Sequence, residues 1–301
     1  DANNISTTGT TALTAAQAAQ LLVATNSGSI TIANVTGTAA DLAALTKGAG
    51  DSIAAATIST NTAATVTQAG SIRSLATSAT YALSDTAEAL AAAGADVLNG
   101  AATNGSAKAI VSTDAATVAQ ATTIDGATAA DADTVFSVSD SAAAVQAAST
   151  ALLDKANGAV TLTDTSLTAA TATTVRAFDT ANAGFTITSN KPIIDSAANL
   201  LVTENGAAVT AASAVTIDGA TTVANAKAVV ALKAGATYSL SDSYVDLSVS
   251  ANLATTNAAT NVTVDGDLNV AQVVLADAWS NSGTLTYTIT DSHSNVATAL
   301  G

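Results

Sequence analysis

The chain has 301 residues, 49% of them hydrophobic, with one Trp, four Tyr, three Phe, one Pro, no Cys and no Met. That apolar share can bury a core and excludes a disordered chain, and the lack of Cys excludes disulfides, thiolate catalysis and Cys-ligated metal. The formal charge is −15 and the eight Lys and Arg residues stand singly, so there is no basic patch for nucleic acid or an anionic membrane, and no apolar run nears the ~20 residues that cross a bilayer.

Along the chain one two-part unit returns: a short strand of alternating apolar and hydroxyl residues ending in Asp or Asn, then an Ala-rich segment with apolar residues at helical spacing. Strands are predicted to begin near Asn4, Ser29, Ala56, Thr80, Ala109, Thr134, Val160, Gly184, Ala214, Thr237, Asn261 and Thr284. Every second strand carries an aromatic residue two positions before an aliphatic one: Tyr81 and Leu83, Phe136 and Val138, Phe185 and Ile187, Tyr238 and Leu240, Tyr287 and Ile289. The intervening strands put an aliphatic there, as in Val160 and Leu162, Val215 and Ile217, Val262 and Val264, so a bulky layer alternates with a smaller one. The helical parts follow i, i+3, i+4, as in Val270, Val273 and Val274.

Strand, helix and parallel strand in series predict an α/β fold: an elongated β/α solenoid of about twelve strand–helix coils of about 25 residues, with a parallel sheet along one side. No Pro-rich or Gly/Ser-rich linker interrupts it, so residues 1–301 read as one continuous domain. The sequence opens on Asp1 without a Met, and its last unit stops soon after the helix begins. It is expected to be a stretch of a longer chain or a subunit that stacks on itself, because an uncovered repeat exposes sheet edge and core.

Of the 23 acidic residues only Glu88 and Glu204 are Glu, so the charge is positional. Asp85, Asp114, Asp140, Asp164, Asp218, Asp242, Asp265 and Asp291 close strands, where a carboxylate can act as N-cap of the following helix, and Asp85 with Glu88 has capping-box spacing. The alternative is a ladder of carboxylates relieved by calcium, for which Asp131 with Asp133 and Asp265 with Asp267 are the best local pairs; neither a nonapeptide calcium repeat nor an EF-hand loop is present. No other cofactor is expected.

Threonine pairs such as Thr161 with Thr163, Thr186 with Thr188 and Thr286 with Thr288 could form an ice-binding array, but equivalent positions carry Ser137, Ser139, Ser239 and Ser241, the pattern of an ordinary solvated sheet face. His293 is the sole histidine, in the run Asp291-Ser292-His293, and adjacency on a turn does not assemble a nucleophile, base and orienter. No catalytic residue is assigned. Trp279 reads equally as a buried anchor or an interface residue.

The stretches Tyr81-Ala-Leu-Ser-Asp-Thr-Ala-Glu-Ala-Leu, Tyr238-Ser-Leu-Ser-Asp-Ser and Asp114-Ala-Ala-Thr-Val-Ala-Gln-Ala resemble units of very large exported surface proteins of cyanobacteria and proteobacteria. That resemblance implies an extracellular role at a bacterial cell surface, in a filament, surface layer or adhesin. Two readings follow: a structural protein that polymerises head to tail with itself, or a rigid adhesive spacer that stays monomeric.

Overall fold

The computed structural model describes residues 4–24, 27–53, 58–77, 79–102, 109–126, 134–157 and 159–300. It is a mixed α/β protein in which four parallel sheets are interleaved with helices. The chain divides into two compact units, Asp1–Leu162 with Asn182–Ile187, and Thr163–Ala181 with Thr188–Gly301.

The first unit opens with paired short strands in each repeat: β1 (Ile5–Ser6) and β2 (Leu13–Thr14) before α1 (Ala15–Leu22), β3 (Ile30–Ile32) and β4 (Val35–Gly37) before α2 (Ala39–Ala43), β5 (Ser52–Ile53) and β6 (Ile58–Thr60) before α3 (Val66–Leu75). Then follow β7 (Leu83–Asp85) with α4 (Ala87–Ala92) and α5 (Ala95–Asn99), β8 (Ile110–Ala116) with α6 (Val118–Gly126), β9 (Thr134–Asp140) with α7 (Ala142–Ala147) and α8 (Thr150–Asp154), β10 (Ala159–Leu162) and β11 (Thr186–Thr188). Strands β1, β3 and β5 form one sheet, β2, β4 and β6 a second, and β7 to β11 a third in chain order.

The second unit begins with α9 (Ala169–Ala181) and continues through β12 (Ile193–Asp195), α10 (Ala197–Leu200), α11 (Gly206–Ala211), β13 (Val215–Thr221) and α12 (Val223–Leu232). It closes with β14 (Thr237–Ser243), α13 (Tyr244–Ser248), α14 (Leu253–Ala258), β15 (Val262–Leu268), α15 (Val270–Ala276), β16 (Leu285–Ile289) and α16 (His293–Leu300). Its sheet runs from β12 to β16 in chain order.

Each of the twelve expected strands has a counterpart, while β2, β4, β5 and β12 are additional to them. Where a single sheet was expected, the strands are shared among four sheets of three or five. In the first three repeats the apolar alternation breaks partway, at Ala33-Asn34 for example, so one strand becomes two that pair separately. Paired strand residues lie between 19 residues apart (Ala220 with Ser239) and 27 apart (Leu83 with Ile110), around and mostly below the spacing of about 25 expected from the sequence.

Alternation decides which side chains enter the core. In β9, Thr134, Phe136 and Val138 are buried while Val135, Ser137 and Ser139 face outward, the period-two consequence of a pleated strand. Tyr81, Phe136, Phe185 and Tyr238 are all buried in this way. The two buried tyrosines donate their phenolic hydroxyls to helix carbonyls of their own repeat, Tyr81 to Val97 at 2.8 Å and Tyr238 to Thr255 at 3.0 Å. Burial pushes the Tyr81 phenol up to about 12, the nearby Arg73 opposing and Asp96 adding to that shift. Gly219 and Gly266 lie at bulges in β13 and β15 with φ of 77° and 91°, a conformation that only Gly adopts without strain.

Candidate functional site

The strand-ending carboxylates form a repeated device, and it differs from the cap expected of them. A helix N-cap is the extended residue just before the first turn, whose side chain reaches the N–H three residues on. That position is held by the hydroxyl residue after the Asp: Thr86 caps α4, Ser141 caps α7, Ser196 caps α10 and Ser243 caps α13. Asp85, Asp140, Asp242 and Asp291 are therefore not N-caps of the helices that follow them, and Glu88 does not complete a capping box with Asp85.

Their carboxylates instead reach back one repeat. Oδ2 of Asp85, Asp140, Asp195, Asp242 and Asp291 accepts the first N–H of the preceding helix, from Val66, Val118, Ala169, Val223 and Val270 respectively, each at 3.0 Å. Oδ1 of each accepts the N–H of the residue that follows it, at 2.6 to 2.9 Å. One carboxylate thus clasps two successive repeats and places negative charge on a helix N-terminus. Asp195 belongs to the series although strand-end spacing alone does not single it out; the step of Asp followed by Ser or Thr at 85, 140, 195, 242 and 291 is the signal that finds it.

Other strand-end residues vary the theme. Asp114 accepts the N–H of Ala87 at 2.6 Å, and Thr62 serves Ala39 with its hydroxyl at 2.9 Å. Asp218 and Asp265 sit beside the bulge glycines, and their helices are capped by Thr222 and Asn269 instead. Asp164 lies half-buried beyond β10, and the hydroxyl of Thr168 receives the Thr171 N–H at the start of α9. True capping boxes occur at Thr14 with Gln17, Thr65 with Gln68 and Asn269 with Gln272, a Thr/Asn-x-x-Gln spacing that is the sequence signal for them. At the opposite helix ends lysines satisfy the free carbonyls. Lys47 donates to the Leu75 carbonyl at 2.8 Å and Lys233 to that of Ala212 at 2.5 Å.

The candidate calcium carboxylates are engaged with hydroxyls. Asp265 accepts from Ser241 at 2.7 Å, and Asp267 accepts from Thr288 and, at 2.8 Å, from Thr290. Those two hydroxyls hold the Asp267 carboxyl below its ordinary range. Asp131 and Asp133 lie outside the described residues, and among the described residues no group of three or more His, Cys, Asp or Glu is placed to hold a metal ion. Trp279 is half-buried and stacks on Tyr244 with ring centroids 6.1 Å apart. Asp291 receives the N–H groups of Val270 and Ser292 and the amide of Asn295, which hold its carboxyl below the ordinary range, while His293 lies exposed at the start of α16.

The feature least explained by folding alone is the edge formed by β16 and α15. Among the described residues β16 pairs only with β15. Its inward positions are incompletely covered: Leu285 and Tyr287 are half-buried and Ile289 is 49% exposed. On α15, Val274 and Leu275 are 66% and 61% exposed. Unpaired strand N–H and C=O groups beside apolar side chains form a template for another strand.

No described helix is long and apolar enough to cross a membrane. Compared with protein-family models, with curated proteins and with solved structures, the chain matches none.

Proposed function

We propose that the chain is a structural protein of an extracellular bacterial surface whose repeats form one solenoid of about twelve coils, and which associates end to end into a filament or layer. The observation that carries this is the run of parallel strands paired in chain order, in which an interior strand such as β14 has its apolar residues closed over by the next repeat. The clasps add support: bonds made from each repeat to its predecessor suit a rigid scaffold, and the carboxylates that make them are occupied by backbone N–H groups.

Sedimentation across a wide concentration range, with negative-stain microscopy in calcium and in chelator, tests the reading. Assemblies of constant width that grow with concentration support it, and growth confined to calcium would draw Asp265 and Asp267 into the joint. A single species of one chain's mass under all conditions overturns it in favour of a rigid adhesive spacer.

A further inference from the structure

We infer that a recess in the second unit, at Arg176 and Lys191, binds a tetrahedral oxyanion, phosphate or sulfate, free or as the terminal ester of a larger molecule. This site goes beyond the structural role proposed above and does not depend on it.

Lys191 departs from the pattern of the equivalent repeats. Four residues before the clasping Asp stand Tyr81, Phe136, Tyr238 and Tyr287, ahead of Asp85, Asp140, Asp242 and Asp291, but Lys191 stands ahead of Asp195. The strand register is unchanged, since Ile193 faces Val215 just as Leu83 faces Ile110 and Leu240 faces Val262. Lys191 therefore takes the place where the other repeats carry an aromatic ring, two residues before the buried Ile193. There a recess of about 40 Å³ remains, against the ~10–15 Å³ that admits one water, so it takes a group of a few heavy atoms. Its polar lining is Arg176, Ser189, Asn190 and Lys191, and the rest is Ile193 and alanines from the α9 and α11 segments.

The charges here are unmatched. Arg176 lies seven residues after Ala169, the clasped first residue of α9. At the same distance from their clasped residues the other long helices carry Arg73, Asp125, Val230 and Asp277. Arg73 lies beside the Tyr81 phenol, with Asp96 near the same ring. Asp125 pairs with Lys155 at 2.8 Å, and Asp277 accepts the Tyr287 hydroxyl at 2.9 Å. Of these five helices only α9 sets a cation at this position against a second cation, and no carboxylate lines the recess. Among the described residues neither side chain has a hydrogen-bond or ion-pair partner. Two like charges brought together repel, and an anion between them replaces that repulsion with attraction.

Helix capping does not account for the pair. At the end of α11 the free carbonyls are served by Lys233, which donates to Thr210 and Ala212, whereas Arg176 and Lys191 make no such bond. The donor set suits an oxyanion: the planar guanidinium offers parallel N–H groups, the ammonium a compact charge, and Ser189 and Asn190 neutral donors. The Lys191 N–H closes on the Ser189 carbonyl at 2.8 Å, and Pro192, the sole proline, fixes the next φ, so this segment is held in shape before a ligand arrives.

Calorimetric titration of the full chain with sodium phosphate, sodium sulfate and glycerol phosphate, at constant ionic strength set with sodium chloride, tests the site. Saturable binding of one anion per chain is expected, weakened about tenfold or more in Arg176→Met and in Lys191→Met, which keep an apolar stem and lose the charge. Lys191→Phe restores the ring of the other repeats, and it should abolish binding while the melting temperature stays at or above that of the unaltered chain. Lys227→Met, at a lysine that serves the Ala251 carbonyl outside the recess, should bind like the unaltered chain. Circular dichroism checks the fold of each variant, and Lys191→Phe decides the matter if a methionine variant does not fold. Glycerol phosphate binding as tightly as phosphate assigns the recess to a terminal ester, and binding of the inorganic ions only assigns it to the free anion. No saturable binding, or equal binding by the unaltered chain and Lys191→Phe, overturns the site.

Discussion

Strands β14 and β16 carry nearly the same message and meet different fates. Tyr238-Ser-Leu240-Ser-Asp242-Ser243 and Tyr287-Thr-Ile289-Thr-Asp291-Ser292 match position by position. In β14 the aromatic and aliphatic residues are 5% and 1% exposed, whereas in β16 Tyr287 is half-buried and Ile289 is 49% exposed. The Tyr238 hydroxyl reaches the Thr255 carbonyl in α14, while that of Tyr287 reaches the Asp277 carboxylate, which raises the Tyr287 phenol. The alternation of a strand thus fixes which face is inward, but burial is completed by the repeat stacked after it.

The sharpest way to break the comparison is to place a charge at the matched aliphatic position. Leu240→Asp should cost about 4 kcal/mol or more, because it removes a buried side chain and leaves a carboxylate unpaired in the core. Ile289→Asp should cost less than about 1 kcal/mol, since water already reaches that site. Denaturant unfolding of both variants measures the difference, and equal losses would mean that cover by the next repeat is not what separates the two strands. Next in size is the clasp. Asp242→Ala should cost about 2 kcal/mol by leaving the Val223 and Ser243 N–H groups without their charged acceptor, against about 1 kcal/mol for removal of the ordinary cap in Ser243→Ala. The reverse ranking would show that the cross-repeat bond matters less than the local cap.

The period, the strand positions and the inward face were legible because each depends on local alternation. Val215, Ile217, Tyr238, Leu240, Val262 and Val264 are all buried as that pattern requires. The role of the Asp residues was not legible in the same way, because their partners are 19 to 26 residues away: Asp85 binds Val66 and Asp195 binds Ala169. Sequence spacing pointed Asp85 at its own helix, whereas parallel stacking places the N-terminus of the preceding helix within reach. The splitting of the first strands was equally hidden, since Ala33-Asn34 breaks the alternation without a Gly or Pro to mark it.

Acid provides a smaller contrast within the clasp series. Backbone bonds from Val270 and side-chain bonds from Asn295 depress the Asp291 carboxyl, and Thr288 and Thr290 depress that of Asp267. A carboxyl whose folded pKa is depressed stabilises the fold above its unfolded value, and that contribution is lost as pH falls through the folded pKa. The melting temperature should therefore decline as pH drops below the ordinary value of 3.8, and Asp291→Asn should make the decline shallower. An unchanged slope would mean that these bonds stabilise neutral and ionised forms alike.

The smallest expected effect lies in the tyrosine hydroxyls, and it separates burial from hydrogen bonding. Tyr238→Phe keeps the ring and removes only the donor to Thr255, leaving a partly buried carbonyl without that partner, for a loss of about 1 kcal/mol. Tyr287→Phe removes an exposed bond to Asp277, whose carboxylate water can solvate at once, so stability should move by less than about 0.5 kcal/mol. If end-to-end association covers β16, Tyr287→Phe should become costlier at concentrations where chains associate than where they are dilute, while Tyr238→Phe should cost the same at both. Thermal melts at two well-separated protein concentrations read this out, and a Tyr287→Phe penalty independent of concentration would mean that the edge stays open to water.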